Sequence, residues 1–126
     1  MKIYFAGSIR GGRNDINVYI NIIDHLKNYG EVMTEHIGCK SLLSKGEDQI
    51  SDKSIHDRDL DWLISSDIII AEVTNPSLGV GYEIGIAISY NKKIVCLYRE
   101  NEEHKLSAMI SGSDKILLIR YTSFED

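Results

Sequence analysis

Apolar residues along the chain fall into two alternating rhythms. Short runs rich in β-branched and aromatic residues occur at Lys2 to Ala6, Glu31 to Thr34, Asp67 to Val73, Lys93 to Tyr98 and Ile116 to Tyr121. Between them, apolar positions recur at helical spacing: Ile16, Ile20, Ile23 and Leu26, then Leu60, Leu63 and Ile64, then Ile84, Ala87 and Ile88. The pattern predicts five strands separated by helices. Runs such as Ile68-Ile69-Ile70-Ala71 are apolar at every position, as expected of strands covered on both faces. The fold class that follows is α/β, with a flavodoxin-like (Rossmann-like) five-stranded parallel sheet and helices on both faces.

Local signals place the boundaries. Asn14 or Asp15 can cap the first helix, and Gly30 can end it in a left-handed conformation. The polar stretch Ser41 to Lys53, which carries Gly46, reads as a mobile loop before the second helix. There is no internal repeat or linker-like tract, so residues 1–126 are expected to form one domain. In open α/β sheets ligands bind beyond the carboxyl ends of the strands, and chemistry is to be sought there.

Composition narrows the partners. Hydrophobic residues make up 43% and charged residues 26%, an ordinary globular balance. The formal charge of -5 repels polyanions, so a phosphate would need a local cluster of donors and a general nucleic-acid binder is not expected. Cys39 and Cys96 form no CxxC pair, which fits a reducing, cytoplasmic setting. The opening segment Met1 to Gly7 lacks the basic flank and long apolar core of a signal peptide, and no run could span a bilayer, so no membrane association is expected.

Three stretches could carry chemistry. The loop GSIRGGR, Gly7 to Arg13, follows the first strand and leads into a helix, where backbone N–H groups and Arg10 or Arg13 could hold a phosphate. It matches neither the Walker pattern nor GxGxxG, and an ordinary glycine turn would look the same. In AEVTNPSLGVGYEIG, Ala71 to Gly85, the glycines at 79, 81 and 85 remove side chains around Glu83 and leave it on the first turns of a helix. Such a carboxylate is a candidate nucleophile, although on the string alone a solvated helix residue beside turn glycines is the commoner reading. The acidic stretch IHDRDLDWL, Ile55 to Leu63, has His56 at its opening and puts Asp59 on the side of Leu63 and Trp62, able to point into a cleft. Helix N-termini also favour aspartates for their dipole alone. His36 and His56 lack further ligands at set spacing, so neither a metal nor another cofactor is expected.

Taken together, YFAGSIRGGR from Tyr4, TEH from Thr34, IHDRDLDWL from Ile55, AEVTNPSLGVGYEIG from Ala71 and LSAMISG from Leu106 resemble the 2'-deoxynucleoside 5'-phosphate N-hydrolase family. That family is a branch of the nucleoside 2-deoxyribosyltransferase superfamily. The resemblance runs in order through nearly the whole chain and implies one domain of that type over 1–126. It implies an N-glycosidase in which Glu83 attacks C1' of the deoxyribose, Asp59 contacts and protonates the leaving base, and Tyr4 orients the Glu83 carboxylate and crowds the 2' position. Water then releases 2-deoxyribose 5-phosphate. It also implies phosphate capture by Ser8, Ile9, Arg10 and Gly11 with Ser77 and Gly79, and a homodimer in which Ser107 reaches the neighbouring subunit's site.

Three other activities stay open at the level of sequence. Transfer of the deoxyribosyl group to a second base is disfavoured because Arg10 with Ser8, Ser77 and Ser107 suits a 5'-phosphate better than a free nucleoside. A CMP-type ribonucleotide N-glycosidase is disfavoured by Tyr4, where such relatives tend to have phenylalanine. A nucleotide-binding module without turnover would have no need of both Glu83 and Asp59.

Overall fold

The computed structural model describes residues 1–8, 16–33, 51–99 and 105–122. In chain order these form β1 (Lys2–Ala6), α1 (Ile16–Leu26), β2 (Glu31–Met33), α2 (Asp52–Ser65), β3 (Ile68–Glu72), α3 (Leu78–Ser89), β4 (Lys93–Arg99), the short α4 (Ala108–Ser111) and β5 (Ile116–Tyr121). All strand pairs are parallel and the sheet order is β2-β1-β3-β4-β5, the expected doubly wound arrangement.

Alternation along the strands divides the core in two. Tyr4, Ala6, Ile69, Ala71, Ile94 and Cys96 face Leu63 of α2 and Val80, Ile84 and Ala87 of α3. Ile3, Phe5, Val32 and Ile70 face Tyr19, Ile22 and Ile23 of α1. Tyr4 therefore lies under the helices that carry Asp59 and Glu83, while its neighbours Ile3 and Phe5 pack on the opposite side. Parallel register aligns Tyr4 with Ile69 and Ala6 with Ala71, so β1 and β3 end side by side at the same edge.

Several boundaries differ from the sequence expectation. Lys53 and Asp52 belong to α2, which Ser51 caps by accepting a hydrogen bond from Ser54 N at 3.1 Å. His56 therefore lies inside the helix, not at its opening. Residues 51 to 54 are all exposed, so the first turn shows no apolar periodicity to read. Gly30 does not adopt a left-handed conformation. Its role is close approach: a Cβ there would meet the Met1 carbonyl oxygen at 2.1 Å, and Glu31 N donates to that same oxygen at 2.9 Å. The proposed caps Asn14 and Asp15 and the stretch 41–50 lie outside the described residues, as do His36 and Cys39. Cys96 is a buried free thiol, which burial pushes up to about 12. Among the described residues no helix is long and apolar enough to cross a membrane.

Candidate active site

A cleft of about 680 Å³ opens at the carboxyl edge of β1 and β3, between α2 and α3. Gly7 after β1, Asp59 on α2 and Ser77, Gly79 and Glu83 at the start of α3 all line it. At its base the Tyr4 hydroxyl donates a hydrogen bond to Glu83 Oε2. Tyr4 is 1% exposed, fixed in the core between the sheet and α3, so the bond holds the carboxylate to a rigid partner.

Burial sets the electrostatics of this pair. Loss of water pushes the Glu83 carboxyl from 4.5 up to about 7; the Tyr4 donor pulls it down, and the negative Asp59 adds to the rise. Burial first, and then the charges of Glu83 and Asp59, push the Tyr4 phenol far above its ordinary value. The phenol therefore keeps its proton and is the donor. Asp59 is itself half-buried, with Arg58 Nε and Nη2 both on its Oδ1, at 3.0 and 2.9 Å. The Arg58 guanidinium in turn stacks 4.8 Å from the Trp62 ring.

The glycines around Glu83 are not equivalent. Gly79 lines the cleft, whereas Gly81 lines a second cavity and Gly85 faces open space on the exposed side of α3. Only Gly79 keeps side-chain atoms out of the space in front of the carboxylate, which corrects the expectation that all three do so. Ser77 caps α3, its Oγ accepting from Val80 N at 3.2 Å, so its hydroxyl proton remains to be donated.

Other expected ligands are placed differently. Ser8 is 1% exposed; its backbone N–H donates to the Tyr19 hydroxyl at 3.2 Å, and its own hydroxyl has no partner among the described residues. Ile9, Arg10 and Gly11 lie outside the described residues. Ser107 is exposed and caps α4, lining the second cavity, of about 420 Å³, with Leu106 and Met109. This cavity shares Pro76, Ser77, Leu78 and Val80 with the cleft but not Asp59 or Glu83. No group of three or more potential metal ligands occurs among the described residues.

Sequence reasoning left two features unassigned. His56 Nε2 lies 3.0 Å from the Tyr82 hydroxyl at the cleft mouth. Glu72, fully buried at the end of β3, accepts from Thr74 N at 2.8 Å, Thr74 Oγ1 at 2.7 Å and the Tyr121 hydroxyl. The partners lie far apart in the chain, with a sequence separation of 26 for His56 and Tyr82 and 49 for Glu72 and Tyr121. No local motif signals either contact.

Comparison with known proteins follows the same lines. The chain is 52% identical over 126 residues to the 5-hydroxymethyl-dUMP N-hydrolase of Danio rerio, covering 100% of this chain and 88% of that protein. It is 56% identical over 115 residues to the 5-hydroxymethyl-dUMP N-hydrolase of Esox lucius, covering 90% of this chain and 79% of the other. The solved structure of Clostridium botulinum CMP N-glycosidase, BcmB, superposes with a TM-score of 0.68 over 99% of this chain and 92% of that one; at 21% identity it shares the fold. With residues 3–118 also matching the model of the nucleoside 2-deoxyribosyltransferase family, the chain belongs to that family.

Proposed function

We propose that this chain is an enzyme that hydrolyses the N-glycosidic bond of 2'-deoxynucleoside 5'-monophosphates, giving free base and 2-deoxyribose 5-phosphate. The observation that carries this reading is the Glu83 carboxylate, held by the Tyr4 hydroxyl at the base of a cleft that Asp59 also lines. Two relatives identical to it at more than half of the aligned positions are N-hydrolases of a deoxynucleotide by name. In the first step Glu83 attacks C1', the C1'–N bond breaks, and its electron pair leaves with the base, which takes a proton from Asp59. In the second, water attacks C1' of the glycosyl ester, returns its proton to Asp59 and frees Glu83. Paired with Arg58 through Oδ1, Asp59 is ionised, so it must first take up from solvent the proton it delivers, as that pair loosens.

Phosphate recognition falls to the loop after β1 and to the start of α3. The Ser8 hydroxyl, without a partner among the described residues, the Ser77 hydroxyl and the backbone at Gly79 supply donors there, with Ile9, Arg10 and Gly11 assigned from sequence. Ser107 opens onto a different cavity from Glu83, which supports a homodimer in which each copy lends this serine to the other's site.

The reading is tested by incubating the protein with dGMP, dAMP, dCMP, dTMP, GMP and deoxyguanosine, with and without an acceptor base, and separating free base by chromatography. Release from the deoxynucleotides alone, independent of acceptor, is the expected result. Glu83→Ala is expected to lower it by about 10³-fold or more while nucleotide binding persists. Base release only in the presence of acceptor, or a Glu83→Ala variant turning over at the parental rate, overturns it.

A further inference from the structure

The cleft holds a polar pair for which the reaction above has no use. His56 on α2 and Tyr82 on α3 both line it, their rings 5.6 Å apart and tilted by 49°. Nε2 of His56 is 3.0 Å from the Tyr82 hydroxyl, and Nδ1 is 2.9 Å from Asp57 Oδ1. Asp57 Oδ2 in turn accepts from Lys53 Nζ at 2.6 Å. A carboxylate can only accept, so Nδ1 carries the ring's proton. In the neutral ring Nε2 is then an acceptor and the Tyr82 O–H donates into it. That leaves the lone pairs of the phenolic oxygen for a further donor.

The pair's position gives this acceptor a use. His56 precedes Asp59 by three residues, about one turn of α2, and Tyr82 directly precedes Glu83 on α3; all four line the same cleft. Both rings are about half exposed, at the mouth and not in the core. With the sugar at Glu83 and the base beside Asp59, the outer edge of the base meets this rim. We infer that Tyr82, oriented by His56 and Asp57, is a specificity residue whose hydroxyl oxygen accepts a hydrogen bond from a donor substituent on the base, such as an exocyclic hydroxyl. This rests on the N-hydrolase reading of the cleft. At this half-exposed rim water can take the place of the missing donor, so the bond discriminates modestly, by about tenfold.

The test compares 5-hydroxymethyl-dUMP with dTMP, which differ by one hydroxyl on the same methyl group. The parental protein is expected to favour the hydroxymethyl substrate in kcat/KM. Tyr82→Phe is expected to lose about tenfold on that substrate, mainly through KM, and less than about twofold on dTMP. His56→Ala should shift the ratio in the same direction by a smaller factor, since the hydroxyl stays but is no longer aimed. Equal losses on both substrates in both variants would mean that the pair only clasps α2 to α3, and would overturn the inference while leaving the hydrolase reading intact. Failure of the parental protein to release base from either substrate overturns both.

Discussion

The proposed attack on C1' requires an ionised carboxyl group, yet Glu83 is placed where ionisation is costly. Burial pushes it up to about 7, and the nearby Asp59 charge works in the same direction. Tyr4 is the counterweight: its donated proton favours the charged form, and its own burial keeps that proton on the phenol. The sign of the pH dependence follows. Below about 7 Glu83 is protonated and cannot attack, so the acid limb of kcat/KM should fall about tenfold per pH unit with a midpoint near 7, not near 4.5. In Tyr4→Phe the one contact that lowers the Glu83 value is gone, so the limb should move to higher pH. Using one deoxynucleotide for both proteins cancels the titration of the substrate phosphate. A limb that stays in place, or moves to lower pH, would show that Tyr4 does not stabilise the carboxylate.

At the scale of elements, the sheet was readable because its central strands are covered on both faces and so are nearly continuous in apolar residues. Where one side of an element meets solvent along its whole first turn, as at Ser51 to Ser54, that signal vanishes and the start of α2 reads as loop. Gly30 is special in the sequence as a helix end, but the obstacle that requires it is the Met1 carbonyl, contributed by the neighbouring strand just ahead of the Lys2–Glu31 pair. The Tyr4–Glu83 contact was expected from family resemblance alone; its physical basis is the alternation that turns Tyr4 toward α3. Glu72 illustrates what neither route supplies. It gathers Thr74 and Tyr121, and Thr74 Oγ1 accepts from Arg99 N at 2.9 Å, so one carboxylate ties together the ends of β3, β4 and β5. The turn that leads to Pro76 and Ser77 starts from this knot. Tyr121→Phe removes one donor from a fully buried carboxylate, and should lower unfolding free energy by about 1–3 kcal/mol in urea titration. A midpoint within error of the parental one would mean that the bond contributes nothing to stability.

For the whole molecule, the proposed homodimer turns on the surface around the second cavity. Leu78, at the start of α3, is 96% exposed and Met109, on α4, is 82% exposed; both line this cavity beside Ser107. Large apolar side chains so fully in water, flanking a groove, mark a surface made for covering. Leu78 also lines the cleft that holds Glu83, so a second copy seated on this surface would touch both cavities. A C2 pairing would use the surface twice and bring each Ser107 to the opposite cleft. A charge placed at the centre of the surface separates this arrangement from an isolated subunit. Met109→Glu should convert a dimer to a monomer in sedimentation velocity, because the new carboxylate would have to be buried without a partner. It should also raise KM for deoxynucleoside monophosphates, since each site loses the donated serine, while the Glu83 acid limb stays near 7. A parental protein that sediments as a monomer at the concentrations of the assay, yet retains full activity, would rule out the shared site.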